Sequence, residues 1–272
     1  MKIVAAVLVT LIGLFSLIRY IEKRSLYFPL RAIEVTPHDI GLEYEEIIVS
    51  TGDGVRISGW FIPSPAPRAT ILLSHGNGGN ISHRLDKIKV LNDLKVNVLI
   101  FDYRGYGMSK GRPSEQGLYL DCEAMYRYLV NEKNTPPEKI IGYGESLGGA
   151  VIIDLASRLP LGGIIIEGSF TSIRDMAKHY LPFIPTFVYK TTFNSIDKIM
   201  KVTSPKLHFH SMSDDVVPYE LGKKLFDNAP GPKKFVNLQG GHNDSFLISE
   251  ETYAAGLDSF IGEYRSLSEN SL

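Results

Sequence analysis

Residues 140–156 read IIGYGESLGGAVIIDLA, an apolar run of strand length that passes at Ser146 into an apolar run of helical type. One hydroxyl therefore stands at a strand-to-helix junction, with Gly144 and Gly148 two positions to either side. In a G-x-S-x-G turn the central residue takes a strained backbone conformation, and side chains at the flanking positions would collide. Glycine at both positions removes the collision. Such a turn lifts the hydroxyl above the sheet edge, and the next backbone N–H, that of Leu147, opens a helix whose positive end favours developing negative charge. Gly149 lets that helix pack closely on the sheet. The motif alone is weak, because glycine and serine are common residues, so its context decides.

Outward from this turn, short runs rich in Val and Ile alternate with longer amphipathic ones. ATILLS, VNVLIFD, KIIGYG, GGIIIEG, KLHFHS and KKFVNLQ are separated by segments such as SHRLDKIKVLNDL and SEQGLYLDCEAMYRYLVNE. Runs apolar on both faces are what a parallel sheet covered by helices requires, so the fold class is α/β. Upstream, YEEIIVS and VRISGWFIP flank TGDG, whose Asp53-Gly54 pair predicts a hairpin turn. With 272 residues, 44% of them hydrophobic, and no composition shift, the chain reads as one large domain over 40–265. The long departure from the α/β pattern is a cap insertion at about 170–204 containing HYLPFIPTFVYKTTF. A segment this apolar either packs on the domain or lines an acyl-chain pocket, for which Tyr180, Phe183 and Phe187 are the candidates. The one cysteine, Cys122, fits a packed helix position.

Three further stretches fall where chemistry at Ser146 would need them. HGNGGN follows a strand and offers a second backbone donor, assigned to the N–H of Asn77, to an oxyanion. HSMSDDVVP places Asp214 and Asp215 after the strand KLHFH, and LQGGHND places His242 after the strand that follows. A serine hydroxyl is a poor nucleophile at neutral pH unless an imidazole takes its proton, and a carboxylate must hold that imidazole in the right tautomer. Glu167, at a strand end, is an alternative acid. His208 and His210 share a strand face, a spacing that can hold metal, but with no Cys or third His nearby they read as strand residues leading to the acid loop. No metal or other cofactor is implied. Asp102 and Arg104 read as turn-ordering and ion-pairing residues, and Glu145 as a helix-start residue favoured by the dipole.

On HGNGGN, FDYRGYGMSKGRPSEQGL, the GESLGG turn, EGSFTSIRDMA and GGHND, the sequence resembles the alpha/beta-hydrolase superfamily over about residues 40–265. It is most similar to membrane-anchored serine hydrolases of the alpha/beta-hydrolase domain-containing type. The resemblance implies an eight-stranded, mostly parallel sheet with helices on both faces and a triad at strand ends: Ser146, Asp214 and His242, with Asn77 and Leu147 as oxyanion donors. It favours Asp214 over Asp215, and departs from the family at Ser211, where glycine is usual. It also implies depalmitoylase-like or monoacylglycerol-lipase-like chemistry on an ester or thioester of a lipophilic, small-molecule or lipidated acyl substrate. A serine peptidase on the same fold and an inactive lipid- or partner-binding homologue stay open as alternatives.

At the N-terminus, residues 3–18 carry no charge, and residues 1–24 read as a single-pass membrane anchor or a signal peptide. Arg19, Lys23 and Arg24 after the run outweigh Lys2 before it, which favours a cytoplasmic catalytic domain. Residues 25–39 read as a linker and 266–272 as a tail. With 29 basic and 30 acidic residues there is no electrostatic basis for a nucleic-acid partner, and oligomeric state has no signal.

Overall fold

The computed structural model describes residues 2–269; residues 270–272 of the expected tail lie outside the described residues. Eight strands form the main sheet: β2 (Glu45–Ser50), β3 (Arg56–Ile62), β4 (Thr70–Ser74), β6 (Asn97–Phe101), β7 (Ile140–Glu145), β8 (Gly163–Glu167), β9 (Lys206–Ser211) and β10 (Lys233–Leu238). Their order across the sheet is β2-β3-β6-β4-β7-β8-β9-β10, and β3 alone runs against its neighbours. Each of the six apolar runs expected as strands is one, although β10, at the sheet edge, is only half-buried. The hairpin of β2 and β3 closes across Asp53 and Gly54, with Gly54 at φ +80°.

Side chains alternate between two cores. Leu72, Leu99, Ile164 and Ile166 face helices α3 (Glu115–Asn131) and α4 (Leu147–Ala156), whereas Ile71, Leu73, Val98, Ile100 and Ile165 face α2 (Leu85–Asp93) and the C-terminal helix Glu250–Glu269. The period of two puts each strand's apolar residues on both faces, which is why these runs read as continuous. Cys122 is buried in the α3 face as a free thiol. The parallel strands all end at one rim, where β4, β7, β9 and β10 release the loops carrying Asn77, Ser146, Asp214 and His242.

Two segments precede the main sheet. The apolar N-terminal run lies in α1 (Lys2–Ser25), yet among the described residues no helix is long and apolar enough to cross a membrane. Sixteen uncharged residues make only about 24 Å of helix, short of a hydrocarbon core of about 30 Å. The described residues therefore do not support a single-pass anchor. The basic residues at 19, 23 and 24 lie outside those whose side chains are described. The second segment is the expected linker. Its Phe28–Pro29 forms strand β1, paired in parallel with β5 (Gly78–Gly79) in a separate two-stranded sheet.

The turn after β6 is held by buried charge. Arg104 donates from Nε to Asp121 Oδ1 at 2.9 Å and from Nη1 to Asp53 Oδ2 at 2.8 Å, and its backbone N–H reaches Asp121 Oδ2 at 2.8 Å. Burial lifts the Asp121 carboxyl to about 6 even with the arginine opposing it. Replacing Arg104 by Met leaves Asp121 buried with no countercharge and should cost about 3–5 kcal/mol, read from the denaturant midpoint. Without the guanidinium the folded-state pKa of Asp121 climbs further above its unfolded value, so the loss should be greater at pH 8 than at pH 5. Equal losses at both would contradict this account.

Candidate active site

Ser146 stands between the last residue of β7 and the first of α4 with φ +52° and ψ −114°, a region costly for any residue with a side chain, by about 1–3 kcal/mol. Neighbours on every side fix the strain. A Cβ at Gly144 would strike Gly148 O, and one at Gly148 would strike Ser74 O, so the flanking glycines let α4 sit against the ends of β7 and β4. Ser146 N–H donates to Glu167 O at 2.8 Å, and the Ser169 hydroxyl donates to Ser146 O at 2.8 Å. Leu147 is the first residue of α4, where N–H groups lack intrahelical acceptors.

The loop after β4 is tied from beneath. His75 is fully buried; its Nδ1–H donates to Gly76 O at 2.6 Å, and burial pulls its pKa to about 3, so the ring is neutral. Tyr103 OH donates to His75 O at 2.7 Å and Tyr106 OH to Asn77 O at 2.9 Å. Asp102, expected to order the turn that follows it, also accepts from Ile81 N at 3.0 Å, and burial lifts its carboxyl to about 7. Asn77 is thus fixed through its carbonyl at the edge of the cavity it lines.

At the far side of the rim, His242 Nδ1 is 2.8 Å from Asp214 Oδ2. A carboxylate only accepts, so Nδ1 carries the proton and Nε2 keeps its lone pair. The pair packs over Gly168, at φ +53°, where a Cβ would lie 3.1 Å from His242 Cε1. Asp214 Oδ1 accepts from the N–H groups of Val216 and Val217 at 2.9 and 2.7 Å. Asp215 works differently, because its Oδ1 accepts the backbone N–H of His242 at 2.9 Å and so holds the histidine loop. Ser211, where glycine was expected, donates its hydroxyl to Gly240 O and links the same two loops. Burial alone would lower the His242 pKa, but the hydrogen bond and charge of Asp214, with Glu145 and Glu167, raise it above 6.5. Burial raises the Asp214 carboxyl, and the His242 bond and charge overcome this and bring it below its usual value.

Ser146 and His242 line one cavity of about 470 Å³, together with Asn77, Arg84 and Glu145. Among the described residues no direct hydrogen bond joins the serine hydroxyl to the imidazole; catalytic contacts of this type are often long before substrate engages. Glu167 is committed elsewhere, with Lys87 Nζ donating to it at 2.6 Å and Tyr143 OH bonded to the same oxygen. Glu145 ends β7 rather than starting a helix, and its Oε2 lies 3.3 Å from Lys87 Nζ and 3.5 Å from Arg84 Nε. His208 packs against Phe226 and Phe235, and His210 Nε2 bonds Val217 O at 3.0 Å.

The cap aromatics stand apart from this cavity. Phe183 is 97% and Phe187 80% exposed, and Tyr180 reaches the site only by donating its hydroxyl to Val216 O at 2.7 Å. Tyr189 and Phe193 instead turn inward and pack. Sequence reasoning missed Phe28, Leu30 and Val216, the apolar residues that do line it.

A mostly parallel eight-stranded sheet with a strained serine turn and an Asp–His pair at one rim defines a hydrolase fold, and the chain belongs to the alpha/beta-hydrolase superfamily. A family model described as serine aminopeptidase, S33, matches residues 65–198. An uncharacterized protein of Mycobacterium tuberculosis is 33% identical over 267 residues, covering 97% of this chain and 95% of that one. The alpha/beta hydrolase domain-containing protein WAV2 of Arabidopsis thaliana is 34% identical, covering 93% and 91%. In fold, the chain is similar to the Pyrococcus furiosus esterase Pf2001, with a TM-score of 0.74 at 20% identity over 88% of this chain and 99% of that one.

Titration of His242 followed by NMR should give a pKa above 6.5, because the Asp214 carboxylate stabilises the imidazolium. Asp214→Asn removes that charge and should bring the value down; an unmoved pKa would mean that another group holds the ring.

Proposed function

We propose that the chain is a serine hydrolase that cleaves carboxylic ester or thioester bonds of lipophilic acyl substrates. Ser146 Oγ attacks the acyl carbon as its proton passes to His242 Nε2, and Asp214 holds the imidazole and stabilises the charge it acquires. The N–H groups of Asn77 and Leu147 receive the oxyanion, each such donor contributing about 3 kcal/mol in the transition state. His242 then returns the proton to the leaving alkoxide or thiolate, giving an acyl-enzyme. Water attacks that ester with His242 again as base, releasing the acid and restoring the serine. The observation that carries this reading is the 2.8 Å Asp214–His242 pair opening on the cavity that Ser146 also lines.

A second reading, cleavage of a peptide at its amino terminus, is favoured by the description of the matching family. It needs a carboxylate free to receive the substrate ammonium. The carboxylate lining the cavity, Glu145, already faces Lys87 and Arg84, which supports the ester reading over this one.

Ser146→Ala should abolish labelling by a fluorophosphonate probe and lower ester turnover by at least about a thousandfold; retained turnover would overturn the assignment. In the wild type, kcat/KM should rise with pH through the raised pKa of His242, because only the neutral ring accepts the serine proton, so half-maximal activity falls above pH 6.5. A panel of aminoacyl anilides tests the peptidase reading, and faster cleavage of these than of esters would replace the first proposal with the second.

A further inference from the structure

The segment between α1 and the hairpin is laced by main-chain bonds to the loop that holds Asn77. Phe28 and Pro29 pair with Gly78 and Gly79, Leu30 N–H donates to Gly79 O at 3.1 Å, and Leu30 O accepts from Gly107 N at 2.9 Å. The buried side chain of Asn80 adds a clamp, donating from Nδ2 to Ala32 O at 2.5 Å and to Leu30 O at 3.2 Å. Arg31 Nη1 completes it with a bond to Ser109 O at 2.6 Å. The segment is thereby held against the domain while Phe28 and Leu30 stay about half exposed, at 55% and 51%, as one wall of the cavity that Ser146 and His242 share.

The sheet order says which part of a substrate this wall meets. The β1–β5 pair hangs on the loop after β4, which flanks β7 on one side, whereas the acid and histidine loops issue from β9 and β10 on the other. The leaving group must lie toward the imidazole that protonates it, and the carbonyl oxygen toward the Asn77 and Leu147 N–H groups. The acyl chain then departs on the side away from His242, along the oxyanion loop. The geometry points to Phe28 and Leu30 as specificity-determining residues, an apolar wall of an acyl-chain subsite that the N-terminal segment supplies in place of the cap aromatics. The inference rests on the proposed ester hydrolysis.

The test compares kcat/KM for p-nitrophenyl acetate and p-nitrophenyl octanoate in the full chain. The wild type should favour octanoate. Leu30→Asp and Phe28→Asp should each cut the octanoate-to-acetate ratio at least tenfold, with Leu30→Ala between them and the wild type and Leu30→Ile within twofold of it. Labelling of every variant by a fluorophosphonate probe shows that Ser146 and His242 remain assembled. Because both side chains are half exposed, the alanine variant keeps the test decisive if an aspartate variant does not fold. A ratio that stays within twofold of the wild type in Leu30→Ala and in the labelled aspartate variants overturns the inference. So does a change confined to a series of n-alkyl acetates, which would move the wall to the leaving-group side. A wild type that cleaves no ester and takes no probe removes the proposed function itself, and the inference with it.

Discussion

The rim of this molecule depends on how closely helix α4 approaches the ends of strands β4 and β7. At Gly148 the helix meets the carbonyl of Ser74 so tightly that no Cβ fits between them, and Gly144 meets the helix backbone in the same way. That approach forces Ser146 into a positive-φ conformation with its hydroxyl at a cavity and the N-terminus of α4 beside it. Relaxing the turn would mean moving α4, whose residues from Leu147 to Leu155 are buried, so the cost of the strain is spread over the core. A rigid scaffold holds the unfavourable conformation, and the unfavourable conformation exposes the hydroxyl.

Charge around the turn is arranged with equal closeness. Lys87 reaches up from α2 between Glu145 and Glu167, residues paired with each other across β7 and β8, and rests its ammonium 4.5 Å from the Phe246 ring. Two carboxylates and one ammonium in so dry a place leave a negative balance, which Arg84 offsets from the cavity side. Against burial, which disfavours the charged ring, the carboxylates of Asp214, Glu145 and Glu167 favour a protonated His242. Under the neighbouring loop His75 is neutral through burial, the Asp102 carboxyl is lifted to about 7, and hydrogen bonds from Tyr103 and Tyr106 hold the loop. The two sides of the cavity thus differ in kind, one tuned by charge and the other held by directional bonds from Tyr103 and Tyr106.

Much of this was legible because period and chain order survive in the sequence. Val98, Leu99 and Ile100 announce a strand buried on both faces wherever it ends up in the sheet, and the GESLGG turn announces its backbone because only glycine fits at two of its positions. The choice of Asp214 over its neighbour rested on alignment with a family pattern, and the distinct role of Asp215 was invisible because its partner is a backbone N–H 27 residues away. The greasiness of HYLPFIPTFVYKTTF was legible, its direction was not: Tyr189 and Phe193 pack inward while Phe183 and Phe187 face outward, and no local rule separates them.

The sequence by itself determined the class of sheet, the order of its strands along the chain and the identity of the strained serine, since each follows from local spacing and from sterics within a few residues. Only the tertiary structure decided which apolar residues meet the cavity. Phe28 and Leu30 arrive there through a strand of two residues whose partner, Gly78–Gly79, has no side chains to signal the pairing. Main-chain hydrogen bonds between distant segments leave no periodic mark on either, so such a wall becomes visible only when the chain has closed on itself.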